Sequence, residues 1–128
     1  MSQKLIGGIG EKVAYGWLKR SGFLVVLRNY YSRFGEVDLI ATRAGFIYFI
    51  EVKLRNFRSD HEPKEAVVVS KQKKLVKTAM VFLSKHKTNF QPKFAVIEII
   101  KKQNGDFSVN FLDDAFEVFD EFELFKNF

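Results

Sequence analysis

The chain has 128 residues, no cysteine, two histidines, and 21 lysines and arginines against 15 aspartates and glutamates, a formal charge of +6. That length suits one domain with a real core, and the lack of thiols excludes disulfides and thiolate metal sites and leaves zinc without its usual ligands. Asp113, Asp114, Glu117, Asp120, Glu121 and Glu123 crowd the last sixteen positions, so the rest of the chain is more basic than the total and favours a polyanion, nucleic acid first.

From Lys4 to Arg20 the residues Ile6, Ile9, Val13, Trp17 and Leu18 recur at helical spacing, and Gly22 stands where a C-terminal cap is needed. FLVVLRNYY then reads as a strand, EVDLIAT and FIYFIEVKL as a hairpin turning at Arg43, Ala44 and Gly45, and RNFRSDHEPKEA as a polar loop. Ser70 is placed to N-cap a second helix running to about His86, with Leu75, Val76, Ala79, Met80 and Leu83 forming its apolar stripe. KFAVIEII is a buried strand, Asn104, Gly105 and Asp106 turn the chain into FSVNFL, and AFEVFDEF is a short acidic helix within a Phe-bearing tail at about 113–128. The expected fold is α/β, a mixed central sheet in the order α-β-β-β-α-β-β, forming a single domain over 1–128. No apolar run reaches the roughly 18 residues of a membrane span and the opening MSQKLIGGIGEK lacks a signal-peptide block, which makes the cytoplasm the expected compartment.

The hairpin carries charges that packing does not call for. Alternation puts Glu51 and Lys53 on one face of their strand, and Asp38 on one face of its own with Glu36 and Ile40. Paired through the short turn, Asp38 and Glu51 converge on one face at the far end of the hairpin. Two close carboxylates need a cation between them, and Mg²⁺ or Mn²⁺ takes carboxylate, carbonyl and water oxygens, with the Val52 carbonyl as a third protein ligand. Such an ion polarises a phosphoryl oxygen and activates water, while Lys53 orients that water or offsets charge developing on phosphorus. The bland alternative is a set of solvent-facing charges on a half-exposed sheet.

The ordered run Glu11, GEVDLIA, FIEVKLR and a helix opening SKQ resembles the PD-(D/E)xK, or restriction endonuclease-like, nuclease superfamily, and within it the YraN-like family of small bacterial proteins. The likeness spans nearly the whole chain, from the Gly-Glu opening through the Asn29 strand and EAVVVSKQKKL to the closing DDAFE. It implies an endonuclease-like core in which Asp38 and Glu51 bind the metal, Lys53 is the catalytic lysine, and Glu11 joins the site from the first helix. On the wheel Glu11 borders the apolar arc, facing either the sheet edge or solvent. Gln72 opens the stripe that faces the sheet, and either bonds near the metal or substrate, as the resemblance implies, or bonds to backbone at the helix start.

Lys71 and Lys74 on the second helix, Arg55 and Arg58 after the Glu-x-Lys strand, and Arg28 and Arg33 before the hairpin are candidates for phosphate contacts, although, Arg55 apart, each alone is more often a solvated surface cation. Tyr30, Tyr31 and Phe57 either stack on unpaired bases or line the core and its rim, and His61 sits in the polar loop. The leading expectation is a metal-dependent DNA endonuclease, acting on branched or damaged structure, with DNA favoured over RNA and a homodimer left open. The alternatives are a nucleic-acid-binding module of the same fold with an idle site, and an interaction protein that uses its acidic Phe-rich tail.

Overall fold

The computed structural model describes residues 2–56 and 69–113, in which the elements run α1 (Ser2–Arg20), β1 (Leu24–Ser32), β2 (Gly35–Arg43), β3 (Phe46–Asn56), α2 (Val69–Lys85), β4 (Gln91–Lys101) and β5 (Phe107–Asp113). The order is the one the sequence leads to. The strands form one mixed sheet, β1-β2-β3-β4-β5, antiparallel throughout except for the β3–β4 pair. Antiparallel neighbours need only tight turns, whereas the parallel return from β3 to β4 needs a long crossover, and α2 belongs to it.

Local chemistry sets the joints. Gly22, at φ 87°, ends α1, with its own N–H donating to the Lys19 carbonyl and the Phe23 N–H donating to the Leu18 carbonyl at 2.9 Å. This paired arrangement is the left-handed glycine cap. Ala44 and Gly45, at φ 53° and 84°, form a two-residue turn closed by the Arg43–Phe46 pair, whose twist matches the strands it joins. α2 begins at Val69, so Ser70 lies inside its first turn and is not the N-cap; the helix end at Lys85 falls one residue short of His86. β3 runs on through Asn56, taking Arg55 out of the expected polar loop.

Two apolar layers hold the sheet. On one face α1 brings Ala14 and Leu18 onto Leu39, Ala41, Tyr48, Ile50, Ala95, Ile97 and Ile99, with Trp17, Phe23 and Phe111 as an aromatic rim. On the other, α2 lays Leu75, Val76, Ala79 and Phe82 on Val37, Ile40, Ile47, Phe49 and Phe94. Tyr30 joins this second layer edge-on to Phe82, which settles it as a core residue. Among the described residues no helix is long and apolar enough to cross a membrane. The expected Phe57, Arg58 and His61 loop and the acidic segment from residue 114 onward lie outside the described residues.

Candidate functional site

β2 and β3 stay paired from Arg43↔Phe46 to Leu39↔Ile50, and there the recorded pairing ends. The same register carried one residue further sets Asp38 opposite Glu51. In that opening the Val52 N–H donates to Asp38 Oδ2 at 2.8 Å, so a side chain takes up an amide beyond the end of the ladder. The hydrogen bond also fixes the carboxylate.

Strict alternation fails at this point. Val37 and Ile40 pack in the α2 layer while Leu39 packs in the α1 layer, so the period of two that grouped Glu36, Asp38 and Ile40 on one face does not hold. Across from Asp38, Asn29 takes a left-handed φ of 56° between the Arg28↔Leu39 and Tyr30↔Val37 pairs, a local departure from regular strand backbone, while the register shift of β1 falls earlier, between Val25 and Leu27.

Burial, first, pushes the Asp38 carboxyl up from 3.8 to about 7; the Val52 N–H pulls it back, and the charges of Glu11, Glu36 and Glu51 raise it again. Glu51 is buried, on the α2 face. Its Oε1 meets the Lys71 ammonium at 2.8 Å, while its Oε2 is buried without a hydrogen-bond partner among the described residues. Glu11 reaches the neighbourhood because α1 comes close to β3: a Cβ placed on buried Gly10 would lie 3.4 Å from Val52 Cγ1 and 3.5 Å from Leu54 Cβ. The next residue is Glu11, within electrostatic range of Asp38.

Lys53 follows two residues after Glu51 on the same face, half-buried and in no ion pair among the described residues. In the parallel register it lies beside Glu98 of β4, which is fully buried. Glu98 Oε1 accepts from Asn110 Nδ2 at 3.1 Å and Oε2 lies 3.6 Å from Arg55 Nε. Gln72 is half-buried in the first turn of α2, next to Lys71. Arg33 and Lys77 flank the Phe34 ring at the β1–β2 turn, and the Lys74 stem lies against Gly35, so these cations gather at one end of the sheet.

The structure thus brings Asp38, Glu51, Lys71 and the amide of Val52 together, with Lys53 and Glu11 close by and Arg55 one step further along β3. Among the described residues no three Asp, Glu or His side chains are gathered tightly enough to enclose an ion on their own. The donor set nevertheless suits a hard divalent cation that keeps several waters: two neighbouring carboxylates, one held near neutrality and one with an orphaned oxygen.

Residues 10–99 match the model of a family described as "Uncharacterised protein family UPF0102". The chain belongs to the UPF0102 family, the YraN-like family. Relatives in it include a UPF0102 protein of Clostridium tetani, 41% identical over 117 residues that cover 90% of this chain and 96% of the relative, and one of Clostridium botulinum strain Loch Maree, 38% identical over 118 residues with the same coverage. The match takes in α1 from Gly10 and runs to Ile99, so every residue of the Asp38–Glu51 corner and its Lys71 partner falls within this UPF0102 segment.

Sequence reasoning passed over Glu98 and Asn110, and gave Glu36 no role. A signal existed for Glu98: it is the one acid inside the apolar strand KFAVIEII. Lys71 was singled out for phosphate, but its partner Glu51 follows only from the packing of α2 beside β3.

Proposed function

We propose that this UPF0102 protein is a Mg²⁺- or Mn²⁺-dependent nuclease that hydrolyses phosphodiester bonds of DNA at the Asp38–Glu51 corner. The observation that carries the reading is the pair of adjacent acids whose negative charges are under-compensated, one carboxyl raised to about 7 and the other keeping a buried oxygen unbonded. A sheet has no packing use for such a pair. Asp38, Glu51 and the Val52 carbonyl would hold the ion, with Glu11 as an outer carboxylate. When bound, it supplies a Lewis acid and an activated water.

The protein's own groups do the rest. The Val52 N–H holds Asp38 in place. Lys53, half-buried and in no ion pair among the described residues, orients the attacking water and offsets charge developing on phosphorus. Lys71 and Arg55 offer cations to the flanking phosphates, and Gln72 donates beside them. Arg33 at the β1–β2 turn and Lys74 and Lys77 on α2 extend the positive surface at that end of the sheet.

One observation favours a second reading, a nucleic-acid-binding module with an idle site: the Lys71 ammonium already neutralises one oxygen of Glu51. Calorimetric titration of Mn²⁺ into the wild type and Glu51→Gln separates the two. Saturable binding lost in the mutant, followed by cleavage of duplex, single-stranded, flap or four-way DNA that Asp38→Asn, Glu51→Gln and Lys53→Ala each abolish, is the expected result. Salt-dependent DNA binding with neither metal binding nor cleavage would replace the nuclease with the binding module.

A further inference from the structure

Tyr31 stands on the edge strand β1 with 63% of its surface exposed, and among the described residues no other ring packs against it. Its neighbour Tyr30 is committed to the α2 layer, so the two adjacent tyrosines have different fates. The strand register sets Tyr31 opposite Glu36. Glu36 lies two residues from Asp38 on β2, so this pairing sets Tyr31 at the lip of the carboxylate corner, and the Glu36 charge chiefly raises its hydroxyl above the ordinary tyrosine value. The edge strand and the high exposure leave the Tyr31 ring open to solvent.

A cationic and aromatic row leads away from it. Glu11, Tyr15 and Lys19 recur every four residues and form one line along α1, each step about 6 Å. Beside this line, β1 lays the Arg28 guanidinium over the Tyr15 ring at 4.7 Å, and the Lys19 ammonium lies 5.2 Å from the same ring. Starting at the corner, the surface therefore offers an exposed ring, then a guanidinium held on a second ring, then an ammonium. Flat rings stack on bases of any sequence, and cations spaced along a groove follow a phosphodiester backbone. A paired base hides both its faces in the stack, so a ring of this kind gains only from an unpaired one.

We propose that Tyr31, with Arg28 on Tyr15 and Lys19 behind it, is a track for a single strand leading into the Asp38–Glu51 corner, so that the substrate is DNA with unpaired nucleotides beside the bond to be cut. The proposal rests on the nuclease reading for the fate of the strand, whereas the binding it predicts is measured without cleavage. The experiment is fluorescence titration of oligonucleotides bearing 2-aminopurine in a single-stranded 5′ or 3′ overhang, or inside a blunt duplex, with every variant also carrying Glu51→Gln so that the DNA stays intact.

Tyr31→Phe is expected to quench the overhang probe as the parent does. Tyr31→Ala is expected to lose the quenching and weaken overhang binding by about 5- to 100-fold while leaving the blunt duplex within about twofold. Arg28→Ala and Lys19→Ala are each expected to lower the slope of log affinity against log salt by about 0.7 on single strands. Overhang binding and quenching unchanged in Tyr31→Ala, or an equal loss on the blunt duplex, would overturn the track, and would do so even if the wild type cleaves DNA. Quenching that depends on Tyr31 in a protein that never cleaves would uphold the track and remove the nuclease.

Discussion

Asp38→Asn in the metal-free protein tests the corner without any assumption about its substrate. The folded carboxyl titrates near 7 against an ordinary value of 3.8. Below about pH 4 both folded and unfolded chains carry the proton, and Asp38 leaves stability unchanged with pH. Between about 4 and 7 the unfolded chain has released the proton and the folded one has kept it, so stability falls as pH rises. Above about 7 the whole difference is present, up to about 4 kcal/mol at about 1.4 kcal/mol per pH unit, a large share of the roughly 5–15 kcal/mol that holds a small domain together. Asparagine keeps an oxygen to accept the Val52 N–H and removes the charge. Urea denaturation followed by Trp17 fluorescence in EDTA should therefore show Asp38→Asn matching the wild type near pH 4 and exceeding it near pH 8.5 by up to about 4 kcal/mol. Saturating Mn²⁺ should close the gap by stabilising the wild type alone. A mutant no more stable than the wild type near pH 8.5 would mean that the Asp38 charge is already compensated, and the cation site would lose its main support.

Lys53→Met should hold Mn²⁺ affinity within about twofold in calorimetry while lowering cleavage about 10²- to 10³-fold; a parallel loss of metal affinity would refute its separate role at the water. Glu98→Ala should cost about 3–5 kcal/mol in urea denaturation, because it breaks a buried ion pair beside Arg55, whereas Glu98→Gln keeps an acceptor for Asn110 and should cost about half of that or less. Equal costs would show that the charge is immaterial. Gly10→Ala should be neutral or stabilise α1 by up to about 1 kcal/mol, since its methyl meets Val52 and Leu54 at ordinary contact distance, while Gly10→Leu should force α1 off β3 and lower the melting temperature. A melting temperature unchanged in Gly10→Leu would mean that α1 does not depend on this close approach.

The fold was legible because its signals are local. Helical spacing over Val13, Trp17 and Leu18, the glycine cap at Gly22 and the tight Ala44–Gly45 turn each specify one joint, and five strands with one long crossover leave few ways to assemble the sheet. The residue types at the corner were legible too, since Glu51 and Lys53 interrupt an otherwise apolar strand. What escaped was whatever depends on a break in regularity. Alternation predicts faces only while a strand stays regular, and the backbone departs from that at Asn29, opposite Asp38. Ser70 has the chemistry of an N-cap, yet α2 takes up its helical geometry one residue earlier. The Lys71–Glu51 and Arg55–Glu98 contacts join separate elements, and no spacing along the chain announces them.

The position of the corner follows from the sheet itself. A continuous β2–β3 ladder would pair the backbone past Ile50 and leave no place for a side-chain oxygen, and it is the end of that pairing that hands the Val52 amide to Asp38. The acids then meet where the two faces of the sheet come together. Glu11 and Tyr31 approach from the α1 side and Lys71 from the α2 side, with Glu51 and Lys53 on the strand between them. A strand entering along Tyr15 and Tyr31 would have to turn from the α1 side to the α2 side at the end of the sheet, where the β2–β3 pairing stops beside Asp38, to reach the cations Lys71, Arg33 and Lys74. An unpaired strand bends sharply enough for that crossing, while a stiff duplex does not, which gives the unpaired substrate a geometric reason independent of stacking. The same geometry sets an order of effects along the path: removing Lys74 or Arg33 should weaken binding on single and double strands alike, whereas changes at Tyr31, Arg28 or Lys19 should fall chiefly on single strands.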